Sequence, residues 1–196
     1  WEDKDGEFHR KGSMTPQEFA KEYVDMEWED YVCIVNDPRN EYYQTYTVDY
    51  LQNVAGGPPV VYLNVPSQEM KNVTQKLLEG GLPVWMGCDV GKQMHRERGL
   101  WDAKLFDFAE LYGTEFGMDK ANRLRYSQTM MTHAMLFTGV DVIDGVPRRW
   151  RVENSWGAKK SGEEGFYTMN DSWYDEHMFE IAAPTDYLTE KMKKGL

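Results

Sequence analysis

Apolar residues along this chain change period several times, and each change predicts a different element. Thr15-Pro16-Gln17-Glu18 is a capping box with proline at the first helical position. It predicts a helix through about Val24, with Phe19, Ala20 and Tyr23 on its inner face. The charged stretch before it, Trp1 to Gly12, reads as a surface loop or hairpin. Tyr31-Val32-Cys33-Ile34-Val35 is a β-branched run closed by the turn signal Asn36-Asp37-Pro38. The alternation from Tyr46 to Leu51 and the run from Val60 to Val65 predict two more strands, parted by Gly56-Gly57-Pro58-Pro59. From Pro66-Ser67 onward, Met70, Val73, Leu77 and Leu78 recur at helical spacing, and Gly80-Gly81 ends that helix. Leu82 to Val90 then reads as a buried strand.

Residues Gln93 to Leu124 are charged and aromatic without a clear period, which predicts loops and short helices. The last third is strand-rich. Met135 to Val142, Arg149 to Glu153 and Phe166 to Met169 each predict a strand, separated by Asp144-Gly145 and by a Gly157 to Gly165 loop. Asp171 to His177 suits one short helix, followed by a strand from Met178 to Ala182. The expected fold class is α+β, with helices packed on a small antiparallel sheet or β half-barrel.

Composition narrows the function classes. The 196 residues include seven Trp, twelve Tyr and eight Phe, enough buried ring surface to offset the entropy of ordering one domain. The net charge is −11 and the basic residues are scattered, so the chain lacks the Lys/Arg patch that a nucleic-acid partner needs. No stretch approaches the roughly 20 apolar residues of a membrane helix, and the opening Trp-Glu-Asp-Lys-Asp is unlike a signal peptide. Two cysteines, Cys33 and Cys88, are too few for a disulfide framework, which points to a reducing, cytoplasmic setting.

The candidate chemistry rests on few residues. Of the four histidines, His9, His95, His133 and His177, none has a partner at zinc-site spacing, and phosphate-binding glycine loops are absent. No metal or cofactor is expected. His133 stands in Met131-Thr132-His133-Ala134-Met135, where an apolar run begins, and Asn154 follows in Glu153-Asn154-Ser155-Trp156-Gly157. By itself such a pair is more often a core histidine beside a turn asparagine.

The wording of these segments resembles the C-terminal half of papain-like cysteine peptidases, and most closely the bleomycin hydrolase and aminopeptidase C family. The resemblance is carried by Val35-Asn36-Asp37-Pro38, Tyr46 to Leu51, Tyr62-Leu63-Asn64-Val65-Pro66 and Pro83-Val84-Trp85-Met86-Gly87-Cys88-Asp89-Val90-Gly91-Lys92. Met118-Asp119-Lys120-Ala121, Thr132-His133-Ala134-Met135, Trp150 to Gly157 and Gly165-Phe166-Tyr167 continue it, to about Tyr187. It implies a Cys-His-Asn hydrolysis of peptide or amide bonds. His133 would serve as general base and acid, Asn154 would orient its imidazole, and Trp156 would shield their hydrogen bond.

The nucleophile does not follow. No Gln…Cys-Trp stretch of the papain type occurs, Cys33 lies inside a predicted strand, and Cys88 falls in Met-Gly-Cys-Asp. Neither is expected at the helix N-terminus where a thiol becomes reactive. The expectation is a chain inert alone, completed by an N-terminal cysteine-bearing portion or a companion chain, acting on peptide substrate. Within it, residues 1–58 would be a family-specific insertion and lead-in, 59–187 the histidine/asparagine-bearing part, and 188–196 a tail. The resemblance further implies a homo-oligomer, hexameric in the family, although no cleft-filling C-terminal tail is recognisable here. A stand-alone, non-catalytic homologue acting in binding or assembly is the competing reading.

Overall fold

Met70, Val73 and Leu77 fall on one side of the helix Ser67–Glu79 (α2), and all three are buried against strands. Burying one such side chain is worth roughly 1.5–3 kcal/mol, so this face fixes the helix on the sheet. The left-handed residue that ends it is Gly81, at φ 79°, one position beyond the cap. The computed structural model describes residues 1–24, 26–159 and 161–196. Lys160, inside the expected Gly157 to Gly165 loop, lies outside the described residues.

Two compact units are present, Trp1–Asp30 and Tyr31–Leu196. In the first, Pro16–Tyr23 (α1) is capped as the sequence requires. The Thr15 amide donates to Glu18 Oε2 at 2.7 Å, and the Glu18 amide donates to Thr15 Oγ1 at 3.2 Å. The expected inner face is not one, because α1 buries no residue. Phe19 and Tyr23 remain 51% and 43% exposed, their rings tilted against each other with centroids 5.0 Å apart. A unit of this size has too little apolar surface to enclose a helix face. Its opening residues do form a hairpin-like turn, with a bridge between Glu2 and Phe8.

The second unit holds one ten-stranded sheet. Its strands are Tyr31–Val35 (β1), Gln44–Tyr46 (β2), Tyr62–Asn64 (β3), Val84–Cys88 (β4), Met94–His95 (β5), Leu100–Trp101 (β6), His133–Ile143 (β7), Val146–Glu153 (β8), Phe166–Asn170 (β9) and Met178–Pro184 (β10). They run in the order β2-β3-β1-β10-β4-β7-β8-β9-β6-β5. Pairing is antiparallel except for β1 with β3 and β6 with β9, and the sheet stays open. Asp144 and Gly145 both take positive φ, 52° and 77°, the geometry that joins β7 and β8 in a tight hairpin. The helices Phe108–Tyr112 (α3), Lys120–Arg125 (α4), Asp171–His177 (α5) and Glu190–Lys193 (α6) complete an α+β arrangement of sheet and flanking helices.

The predicted strand from Tyr46 to Leu51 is displaced. β2 ends at Tyr46 because its partner β3 begins at Tyr62, which faces Tyr46, so residues beyond have no ladder to join. Thr47 instead donates its hydroxyl to the Val60 carbonyl at 2.6 Å. Between Gln93 and Leu124 the expected short helices are present, together with β5 and β6, two-residue strands too short to leave a period in sequence. Trp101, on β6, is buried and donates its indole N–H to the Val90 carbonyl at 3.0 Å.

The core combines the buried face of β7 and β8, carrying Met135, Phe137, Trp150 and Val152, with α2 and α5. Phe137, Trp150 and Tyr174 pack ring to ring, and the Tyr174 hydroxyl meets Thr74 Oγ1 at 2.9 Å. Lys71 ties α2 to α5 through Asp171 and Asp175, at 2.8 and 2.9 Å. Lys120 anchors α4, donating to Asn36 Oδ1 at 2.7 Å and to the Met178 and Asp175 carbonyls at 2.6 and 3.1 Å. Burial pulls that ammonium down to about 7, but three acceptors match its three N–H groups, so the geometry is that of the charged form. Leu188 and Met192 close the core at the C-terminal end.

Candidate active site

Antiparallel register places the candidate residues. β7 and β8 pair Phe137 with Val152 and Leu136 with Glu153. Continued by one residue, that register sets Asn154 opposite Met135, one side-chain repeat from His133 on the same face. The two side chains, twenty-one positions apart in sequence, meet at 3.0 Å between His133 Nε2 and Asn154 Oδ1. An amide oxygen only accepts, so the proton is on Nε2 and the free lone pair is on Nδ1. Among the described residues Nδ1 has no hydrogen-bond partner.

Asn154 is held from behind. It is 7% exposed, and its backbone amide donates to the Gly165 carbonyl at 3.1 Å. Its side-chain Nδ2 is buried with no partner among the described residues. An unpaired buried donor costs about 1–3 kcal/mol, so the position of this side chain is not explained by stability alone.

Trp156 lies over the pair. Its ring centroid is 5.0 Å from that of His133, tilted by 31°. The Arg96 guanidinium sits 4.9 Å from the Trp156 ring, and Tyr167 approaches it edge-on at 6.1 Å. Neither Arg96 nor Tyr167 stood out in sequence as part of this cluster. Tyr167 arrives on β9 through its antiparallel pairing with β8, and Arg96 comes from the segment between β5 and β6, which the parallel β6–β9 pairing sets alongside. A guanidinium over an indole is attracted by the ring quadrupole, which holds the indole in place from a second direction.

The cysteines occupy different surroundings. Cys88 faces His133 across the β4–β7 ladder, yet it is 0% exposed and makes no hydrogen bond to the imidazole. Burial, and secondarily the neighbouring Asp89 charge, push its thiol far above the ordinary range. Cys33 is pushed up to about 11, first by burial and then by the charge of Glu180 and a hydrogen bond with it. Both are free thiols, and both environments hold the proton on sulfur.

A groove of about 840 Å³ is lined in part by Met131, two residues before His133, but by neither His133 nor Asn154. Its walls mix apolar Val48, Leu51, Met130 and Phe179 with the carboxyl of Glu180, which burial pushes upward. Among the described residues no group of three or more His, Cys, Asp or Glu is arranged to hold a metal ion. No described helix is long and apolar enough to cross a membrane.

The model of the Peptidase C1-like family matches residues 1–196. The chain is similar to an aminopeptidase C of Listeria innocua, 40% identical over 194 residues, covering 98% of this chain and 44% of the relative. It is equally similar to the human bleomycin hydrolase, 40% identical over 202 residues with the same coverages, 98% and 44%. Among solved structures, PepW of Lactobacillus rhamnosis HN001 superposes with a TM-score of 0.93 at 39% identity, over 100% of this chain and 44% of that one. The chain thus spans less than half the length of the relatives it matches.

Proposed function

This chain belongs to the Peptidase C1-like family, and we propose that it supplies the histidine and asparagine of a cysteine-type aminopeptidase. The observation that carries the reading is the His133–Asn154 hydrogen bond, which leaves an unpaired Nδ1 lone pair on a histidine at the start of a strand. His133 Nδ1 takes the proton of a cysteine thiol, and the thiolate attacks the scissile carbonyl carbon. The resulting imidazolium then gives that proton to the leaving amine, and an acyl-enzyme remains. Water, deprotonated by the same nitrogen, attacks the acyl carbon and releases the carboxylic acid, while the proton returns to sulfur. Asn154 keeps Nε2–H engaged throughout, without adding a charge that would compete for the proton. Trp156 keeps water from that hydrogen bond, which strengthens it.

The nucleophile comes from outside residues 1–196, on a cysteine-bearing portion or companion chain placed against Nδ1. The two protonated thiols of this chain support that assignment. The substrate class is a peptide or small amide, for which the names of the similar proteins are the support. Two free cysteines fit a reducing, cytoplasmic setting, and assembly into a homo-oligomer extends the same likeness.

The test is reconstitution. The chain is mixed or co-expressed with a cysteine-bearing portion of a relative and assayed on an aminoacyl-p-nitroanilide. Hydrolysis should require both parts and should vanish with His133→Ala. If both parts fold and associate but remain inactive, the reading gives way to a non-catalytic binding role.

A further inference from the structure

The backbone that leads into His133 is fastened by a buried carboxyl group that the acid–base chemistry does not use. Asp89 directly follows Cys88, the residue facing His133 across the ladder, and is 5% exposed. Thr129 Oγ1 donates to Asp89 Oδ2 at 2.7 Å, and the Met130 amide donates to the same oxygen at 3.4 Å. The next turn of the segment is tied to the residues on either side of Asp89. The Thr132 amide donates to the Cys88 carbonyl at 2.9 Å, and the Val90 amide donates to Thr132 Oγ1 at 3.2 Å. Asp89 is itself held in place, because its amide donates to the His177 carbonyl at 3.0 Å and the Lys92 ammonium lies 4.0 Å from Oδ2.

We propose that Asp89, acting through Thr129 and the Met130 amide, is a positioning residue for His133. It rests on the reading of His133 as the general base. His133 is the first residue of β7, so the ladder restrains its backbone on one side only. On the other side, three of the four residues before it, Thr129, Met130 and Thr132, are anchored by Asp89 and its two neighbours. A buried carboxyl with a fixed hydroxyl and amide donor is a stiffer anchor than a solvated turn, since releasing either donor leaves a polar group unpaired. Asn154 orients the ring about its far nitrogen, while the Asp89 clamp sets where the ring stands relative to an incoming thiol. A displacement of about 1 Å at a reacting group can reduce turnover on the order of 100-fold.

The test uses Thr129→Val, which removes the donor but keeps the shape, and Thr129→Ser, which keeps the hydroxyl, beside Asp89→Asn. The first readout is nitrogen-15 NMR of the His133 ring in this chain, which reports its tautomer and the Nε2–H bond to Asn154 without any catalysis. The second is the split of kcat and KM in the reconstituted enzyme. Thr129→Val and Asp89→Asn should broaden or shift the His133 Nε2–H signal and lower kcat about 10- to 100-fold. KM should move by less than about threefold, since Thr129 and Asp89 are both buried. Thr129→Ser should restore both. Folded Thr129→Val and Asp89→Asn proteins with an unchanged His133 signal would overturn the proposal. A shifted signal in a reconstituted enzyme that is inactive even as wild type would leave the clamp standing and sink the catalytic reading instead. Should Asp89→Asn fail to fold, Thr129→Val alone decides the question.

Discussion

Cys88 stands directly opposite His133 on neighbouring strands, and it still does not form a thiol–imidazole pair. Its sulfur is enclosed in the core among apolar neighbours, where burial raises the thiol far above the ordinary range. Adjacency across the ladder supplies proximity, but not the exposure or the electropositive surroundings that a nucleophilic thiol needs.

Cys88 in the folded chain should therefore resist iodoacetamide at pH 7, and Cys33, held up to about 11, should react slowly. Peptide mapping by mass spectrometry after timed alkylation reads both. Cys88→Ala should leave reconstituted hydrolysis unchanged. Rapid labelling of Cys88, with loss of activity in step, would reverse this assignment.

Asn154→Ala should separate activity from stability. The side chain brings one hydrogen bond and one unpaired buried donor, so its removal should change unfolding free energy by no more than about 1 kcal/mol. Turnover of the reconstituted enzyme should fall on the order of 100-fold as the imidazole loses its orientation. Urea titrations and kcat, measured on the same preparations, check both halves.

Trp156→Ala should speed solvent exchange of the His133 Nε2 proton, because the ring 5.0 Å away no longer covers it. A drop of roughly tenfold in kcat should accompany it, as the hydrogen bond weakens in a wetter setting. An exchange rate identical to wild type would rule out the shielding role and leave Trp156 as packing alone.

His177 predicts a pH dependence of folding. Burial, then the charges of Arg123, Lys120 and Lys92, pull its imidazole down to about 3 from an ordinary 6.5, and its Nδ1 is buried without a partner among the described residues. The unfolded state therefore binds the extra proton between those values, so stability is full above pH 6.5 and is lost as pH falls toward 3. By pH 5 the loss from this residue, relative to full stability at high pH, should be about 2 kcal/mol. His177→Leu should flatten that part of the profile, and denaturant midpoints at a series of pH values measure it. Equal slopes in wild type and variant would refute the prediction.

The chain by itself should self-associate. Met130, Met131, Trp85, Val48 and Leu51 are large apolar residues left exposed on the sheet-bearing unit. Surfaces of this kind usually meet a partner. Sedimentation velocity at several concentrations should show reversible oligomers that dissolve when a cysteine-bearing portion is added. A concentration-independent monomer would contradict this.

Part of this outcome was legible in the residues. Strong local signals gave elements where they were expected. The capping box at Thr15, the helical period of Met70, Val73 and Leu77, the Asp144-Gly145 turn and the Asp171–His177 helix are all present. Signals that depend on a partner failed. The alternation from Tyr46 to Leu51 has no strand opposite it beyond Tyr46, and Phe19 and Tyr23 have no surface to pack on within their own unit.

The sequence by itself determined the chemistry available: a histidine at the head of a strand, an asparagine after the next one, an indole beside it, and no thiol in a reactive context. These follow from residue identity, local period and turn chemistry, which act over a few positions. Tertiary structure alone decided the rest. The hairpin register brought Asn154 Oδ1 to His133 Nε2, and β4 set Cys88 against the histidine but inside the core. The same strand end carried Asp89 to Thr129, forty residues away in sequence. Such contacts depend on which strands pair and in what register, and no local pattern encodes that choice because it is set by the burial of the whole sheet.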